Sequence, residues 1–134
     1  MDIQIIEQSP ELPTAEEKAL TIAVQAAKEH NCPVTVVVPA KKHANSTSLK
    51  YLLSEHKVDA LLKGKLVQIA ENVVGRLESN ATLKTEAYNQ VLLVIRAWSE
   101  AIPKVKKVSD VRSLVVVPPS AEEANKWRVA FNDK

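Results

Sequence analysis

Three short aliphatic runs divide the chain, and none of them alternates with polar residues. They are Val34–Val38, residues 91–95 and residues 114–117. Such a β-branched run is typical of a strand that is buried on both faces. Helical patterns separate the three runs, and strands that alternate with helices favour parallel pairing through crossover connections. The opening residues 2–6 predict a further short strand.

Amphipathic helical patterns occupy the segments between these runs. Thr14 to Glu17 forms a capping box, in which a hydroxyl and a carboxylate satisfy amides of the first turn. Residues 15–30 place small side chains on one face, which would let this helix approach a sheet closely. A second capping box, Ser120 to Glu123, opens a terminal helix. The inward-facing residues that we expect in the two helices are Ala19, Leu20, Ala23, Ala26 and Ala27, and then Ala124, Trp127 and Phe131.

Two shorter helices are also predicted. Residues 45–55 would form one of them, with Asn45 or Ser46 as its cap. The other follows Ile95, where Ile102, Val105 and Val108 recur at helical spacing and Pro103 fits only in the first turn.

The stretch from Val58 to Leu77 admits two interpretations. Its apolar residues recur at steps of three and four, which predicts one helix. Gly64 and Gly75 oppose that interpretation, because each costs about 1 kcal/mol relative to alanine inside a helix. The alternative places a strand at residues 66–70. The helix is the preferred interpretation.

The length and composition agree with this pattern. The chain has 134 residues, of which 46% are hydrophobic and 25% charged, as in ordinary globular proteins of one domain. We therefore expect a single three-layer α/β domain over residues 1–134. Its sheet would be short and mostly parallel, with about four strands and with helices on both faces.

The sequence lacks the motifs of several enzyme classes. Only two glycines occur, so no glycine-rich phosphate loop can form and an ATPase motor is excluded. No serine-nucleophile or zinc-protease motif is present, and the three histidines are too widely separated to predict a metal site. We expect no catalytic residues, no metal and no cofactor.

The net charge and the single cysteine indicate where in the cell the protein is located. Net charge is +2, too small to indicate binding to nucleic acid or to a membrane by itself. Cys32 has no partner for an intramolecular disulfide, no hydrophobic leader opens the chain, and no apolar run is long enough to span a bilayer. These features predict a cytoplasmic protein that does not associate with membranes.

A ligand site is predicted where the three aliphatic strands end. In an open parallel sheet, ligands bind beyond the carboxyl ends of the strands. The segments that follow these strands are 39–47, 96–99 and 118–120. Lysine and arginine side chains would attract an anion, hydroxyl and amide groups would hydrogen-bond it, and an indole would stack on a ring. The expected ligand-binding residues are Lys41, Lys42, His43, Asn45, Ser46, Thr47, Arg96 and Trp98.

Two functions follow from this pattern. The first is a non-catalytic binding domain that recognises a phosphate, a nucleotide or a nucleic-acid backbone at the edge of the sheet. The alternative is a protein–protein adaptor or regulatory subunit without a small-molecule site. In that case the basic segment from Lys104 to Arg112, or the terminal helix, would dock an acidic protein partner.

Overall fold

The computed structural model describes residues 2–8, 14–39, 53–79, 81–83, 89–108 and 110–131. Within these ranges the strands are β1 (Asp2–Ile5), β2 (Val34–Val38), β3 (Val67–Ala70), β4 (Val73–Ser79), β5 (Gln90–Ile95) and β6 (Val111–Val117). The helices are α1 (Ala15–His30), α2 (Glu55–Leu62), α3 (Ile102–Lys107) and α4 (Ala121–Phe131). A 3₁₀ turn, Ser99–Ala101, leads into α3.

The described strands form one mixed, mostly parallel sheet in the order β1-β6-β5-β2-β4-β3. Every neighbouring pair is parallel except β3 and β4. The prediction of an α/β fold with a mostly parallel sheet is confirmed. The sheet is larger than the predicted count of about four strands, because β3 and β4 extend it beyond β2; the short strand expected at residues 2–6 is β1.

Alternate residues of the central strands enter two separate hydrophobic clusters, as the pleat of a strand requires. Because both faces of these strands are apolar and buried, the runs show no polar alternation. One cluster joins Val34, Val36, Val38, Val91, Leu93, Ile95 and Val115 to residues of α1 and α2. The other joins Val37, Leu92, Val94, Leu114 and Val116 to residues of α3 and α4.

Helix α1 follows its sequence pattern closely. The hydroxyl of Thr14 accepts a hydrogen bond from the amide of Glu17 at 3.2 Å, and Asn31 ends the helix in the left-handed conformation. Ala19, Ala23 and Ala27 are fully buried against the sheet. Their small side chains let the backbone of the helix approach the valine-rich strands.

The single helix preferred between Val58 and Leu77 is wrong. Helix α2 ends at Leu62, and Gly64 then adopts a positive φ of 82° that does not continue a helix. The rest of the segment is the β3–β4 hairpin, which turns at Asn72 with a φ of 62°. The alternative strand at residues 66–70 matches β3, whereas β4 was not predicted.

Gly75 is explained by close packing inside this hairpin. A Cβ at this position would lie 3.1 Å from two methyl carbons of Ile69 and 3.3 Å from the carbonyl oxygen of Val34. The glycine therefore lets β4 pack tightly beside both β3 and β2. In the sequence it was considered only as a helix breaker.

No helix in the described ranges is both long and apolar enough to cross a membrane. The predicted helix at residues 45–55 lies mostly outside the described residues. At its end, Leu53 is buried, and the hydroxyl of Ser54 caps α2 by accepting a hydrogen bond from the amide of Lys57.

Candidate functional site

The carboxyl ends of the three aliphatic strands lie side by side at one edge of the sheet, here called the carboxyl edge. Strand β5 pairs in parallel with β2 through Val37 and Val94, and with β6 through Ile95 and Val117. This orientation is the condition that the predicted site required. Neighbouring strands are about 4.8 Å apart, so Pro39, Arg96 and Pro118 leave the sheet within a short distance of one another.

The strand order creates a switch point between β2 and β5. The chain that leaves β2 re-enters the sheet on one side, at β3 and β4, whereas the chain that leaves β5 re-enters on the other side, at β6. The two connections therefore diverge above a pair of adjacent strands. In open α/β sheets a crevice forms at such a point, and ligands bind there.

The predicted site residues fall into two groups. Lys41, Lys42, His43, Asn45, Ser46 and Thr47 lie outside the described residues, in the segment that leaves β2. Arg96 and Trp98 are described, and both are exposed at the carboxyl edge, in the turn that follows β5. Trp98 is 49% exposed.

Arg96 has an unusual backbone conformation for an arginine. Its φ is 53°, in the left-handed region that residues other than glycine and asparagine seldom occupy. The carbonyl of Arg96 accepts a hydrogen bond from the amide of Trp98 at 3.0 Å, and the amide of Ala97 donates to Val117. The chain therefore turns sharply as it leaves β5, and such conformations cluster at functional sites.

Two side chains of α4 hold this turn in position. The indole nitrogen of Trp127 donates to the carbonyl oxygen of Ala97 at 2.8 Å, and Trp127 is completely buried. The carboxylate of Glu123 accepts from the amide of Ser99 at 2.7 Å. Because one bond lies on either side of Trp98, the backbone that carries this indole is fixed from both directions.

Glu123 also forms an ion pair within its own helix. Its second oxygen lies 2.8 Å from Nζ of Lys126. The hydrogen bond from Lys126 and the amide of Ser99 together lower the pKa of the Glu123 carboxyl, and Glu123 raises the pKa of Lys126. The sequence pattern assigned Glu123 to a capping box, and no local signal pointed to its contact with Ser99.

The basic residues Arg96 and Arg112 lie at opposite edges of the sheet. Arg96 lies at the carboxyl edge, whereas Arg112 lies near the start of β6. At a rise of about 3.3 Å per strand residue, the two positions are about 17 Å apart along the strands. Arg112 contacts Asp110 and donates to Asn89. Lys106 donates to the carbonyl of Ala130 at 3.0 Å, near the end of α4.

Other reactive or polar groups lie away from the switch point. Cys32 precedes β2 at the opposite edge, where burial raises the pKa of its thiol despite the nearby Arg112. The buried hydroxyl of Thr35 donates to Gln90 at 2.7 Å, at the start of β5. No cluster of three potential metal ligands occurs among the described residues.

A shallow groove with a volume of about 360 Å³ lies between α1 and Ile6, the residue that follows β1. Its lining includes Ile6, Thr21 and Ile22. Strand β1 is at one edge of the sheet and is separated from β2 by β6 and β5. The groove therefore belongs to a different part of the molecule from the switch point.

Comparisons of the chain with protein-family models, with curated proteins and with solved structures found no match.

Proposed function

We propose that this chain is a small, non-catalytic, cytoplasmic domain that binds an anionic group at the carboxyl edge of its sheet, between β2 and β5. The observation that supports the proposal is the strand order, which makes adjacent strands β2 and β5 the point where the connections diverge. We also propose the three-layer arrangement expected from the sequence, with α1 and α2 on one face of the sheet and α3 and α4 on the other.

Cationic side chains supply the recognition in this proposal. Arg96 carries its charge at the end of β5, and a guanidinium can make two parallel hydrogen bonds to a phosphate or carboxylate. Lys41, Lys42 and His43 follow β2 closely in the sequence, and Asn45, Ser46 and Thr47 would add hydrogen-bond donors. A phosphate group has enough acceptor oxygens to engage both strand ends at once.

The start of the 3₁₀ turn is not part of the anion site in this proposal. Helix N-termini attract anions through their unpaired amides. Here the amide of Ser99 already donates to the carboxylate of Glu123. An external anion would therefore bind to the side chains of the edge rather than to this amide.

Calorimetric titration with inorganic pyrophosphate, at low and at moderate salt, tests the proposal. We expect binding that weakens with salt and that Arg96→Ala reduces about 10- to 150-fold, since hydrogen bonds between charged groups contribute about 1.5–3 kcal/mol. Lys41→Ala should also weaken it. Arg96→Ala should change the free energy of unfolding by no more than about 0.5 kcal/mol, as for other surface substitutions.

Arg112→Ala is the matched control, because it removes the same charge from the opposite edge of the sheet. It should leave pyrophosphate affinity unchanged. Equal weakening by both arginine substitutions would contradict a site at the switch point, because it would show only a general effect of net charge. The absence of any salt-sensitive binding would contradict anion recognition and would favour the adaptor alternative.

A further inference from the structure

Trp98 is a large apolar side chain held at the protein surface. Trp98 is 49% exposed, whereas Trp127, the other tryptophan of the chain, is completely buried. The remaining strongly exposed large hydrophobic residues in the described ranges are Leu66, Val74 and Val129, which are aliphatic and belong to the hairpin region and to α4. Trp98 is the aromatic member of this set and lies at the carboxyl edge, three residues after the end of β5.

The backbone around Trp98 is fixed before any ligand arrives. The amide of Trp98 donates to Arg96 and its carbonyl accepts from Ala101, both at 3.0 Å. The bonds from Trp127 to Ala97 and from Ser99 to Glu123 hold the residues on either side. A ring on such a backbone can take part in stacking at little further cost in chain entropy.

Arg96 and Trp98 bring two kinds of chemistry to one turn. The carbonyl of Arg96 and the amide of Trp98 are joined by a hydrogen bond, so their side chains project from neighbouring points of the same edge. A guanidinium matches a phosphate, and an exposed indole matches the flat face of a nucleobase. A ligand that uses both groups must combine an anion with an aromatic ring.

We propose that the site takes a nucleotide, with its base stacked on Trp98 and its phosphate bound by Arg96. This inference depends on the proposed anion site and specifies the rest of the ligand. The nucleotide can be free or can belong to a single strand, because the same two contacts serve both.

Equilibrium titration of the purified chain with three probes tests the inference. Adenosine 5′-monophosphate carries base and phosphate, ribose 5-phosphate lacks the base, and a short single-stranded oligoadenylate carries both in a strand. We expect the two probes with a base to bind more tightly than ribose 5-phosphate and to quench the fluorescence of Trp98. Trp98→Ala should weaken binding of those two probes about 5- to 150-fold, the effect expected for loss of a stacked base.

Trp98→Phe is the conservative variant and should retain most of the preference for a base, because it keeps an aromatic face. Thermal melts establish that each variant is folded. If the oligoadenylate binds more tightly than the mononucleotide and depends on Trp98 to the same extent, the result would support a nucleotide within a nucleic-acid single strand as the ligand. If Trp98→Ala leaves the affinity for either base-containing probe unchanged, stacking on Trp98 would be overturned.

The outcomes distinguish this inference from the proposed function. Equal, Arg96-dependent affinities for the monophosphate and for ribose 5-phosphate would overturn the nucleotide assignment and leave the anion site intact. If no probe binds and pyrophosphate also fails, both proposals are overturned.

Discussion

The carboxylate of Glu123 contacts a residue far away in the sequence, which its position in a capping box does not indicate. The amide of Glu123 donates to the hydroxyl of Ser120, as in the predicted capping box. Its side chain does not complete the box; it binds the amide of Ser99, 24 residues earlier. One residue thereby caps the 3₁₀ turn after β5 and attaches α4 to the edge that carries Trp98.

This contact predicts a stability that falls in acid. The pKa of Glu123 is lowered from its ordinary value of 4.5, so the folded state binds the proton less readily than the unfolded chain. Its contribution is complete above about pH 4.5 and is lost as the pH falls through the lowered pKa. Lys126 shows the opposite shift, from 10.5 upwards, so its contribution is lost as the pH rises through its raised pKa.

Urea unfolding of the wild type and Glu123→Gln over a pH series measures the effect. The amide can still accept from Ser99 but cannot titrate or pair as a charge with Lys126. We expect the difference in unfolding free energy between the two proteins to shrink as the pH falls below 4.5. A difference that stays constant across this range would show that Glu123 does not contribute through its charge.

At the scale of elements, α1 shows how small residues set the distance between a helix and a sheet. Ala19, Ala23 and Ala27 are buried in one hydrophobic cluster with residues of the strands below. Protein interiors are close-packed, so a larger side chain at these positions must displace the helix or its neighbours.

Ala23→Leu therefore should destabilise the fold by about 1–3 kcal/mol, the usual range for overpacking a core. Gln25→Leu is a suitable control, because Gln25 lies on the exposed side of the same helix and should change stability by no more than about 0.5 kcal/mol. Chemical denaturation measures both values. Similar effects for the two variants would contradict tight packing at Ala23.

At the scale of the whole molecule, the sheet has a central and a peripheral part. Strands β2 and β5 each pair with two neighbours, whereas β1 and β3 each pair with one. The central pair also carries the switch point. The candidate site therefore lies at the ends of the best-supported strands.

Hydrogen exchange should reflect this order. Amides in β2 and β5 should exchange most slowly, through global unfolding, whereas those in β3 should exchange faster through local opening at the sheet edge. Exchange followed by NMR or mass spectrometry gives the protection of each strand. Protection of β3 equal to that of β5 would show that the hairpin does not open separately from the sheet.

Local sequence signals predicted much of the fold but only part of the site. The aliphatic runs located β2, β5 and β6, and the caps at Thr14 and Ser120 located α1 and α4, since each signal depends on neighbouring residues. The segment from Val58 to Leu77 was misinterpreted because steps of three and four also fit a short helix followed by two strands. The left-handed conformation of Gly64 and the packing of Gly75 against Ile69 separate these possibilities.

By itself, the sequence determined the α/β class, the parallel orientation of the aliphatic strands and the presence of Arg96 and Trp98 just after one of them. Periodicity and capping operate within a few residues, so they carry this information. Only the tertiary structure decided that β5 lies between β2 and β6, that Arg96 and Arg112 belong to opposite edges, and that Glu123 holds Ser99. Those relations join residues far apart in the chain, and no local pattern encodes which strands become neighbours.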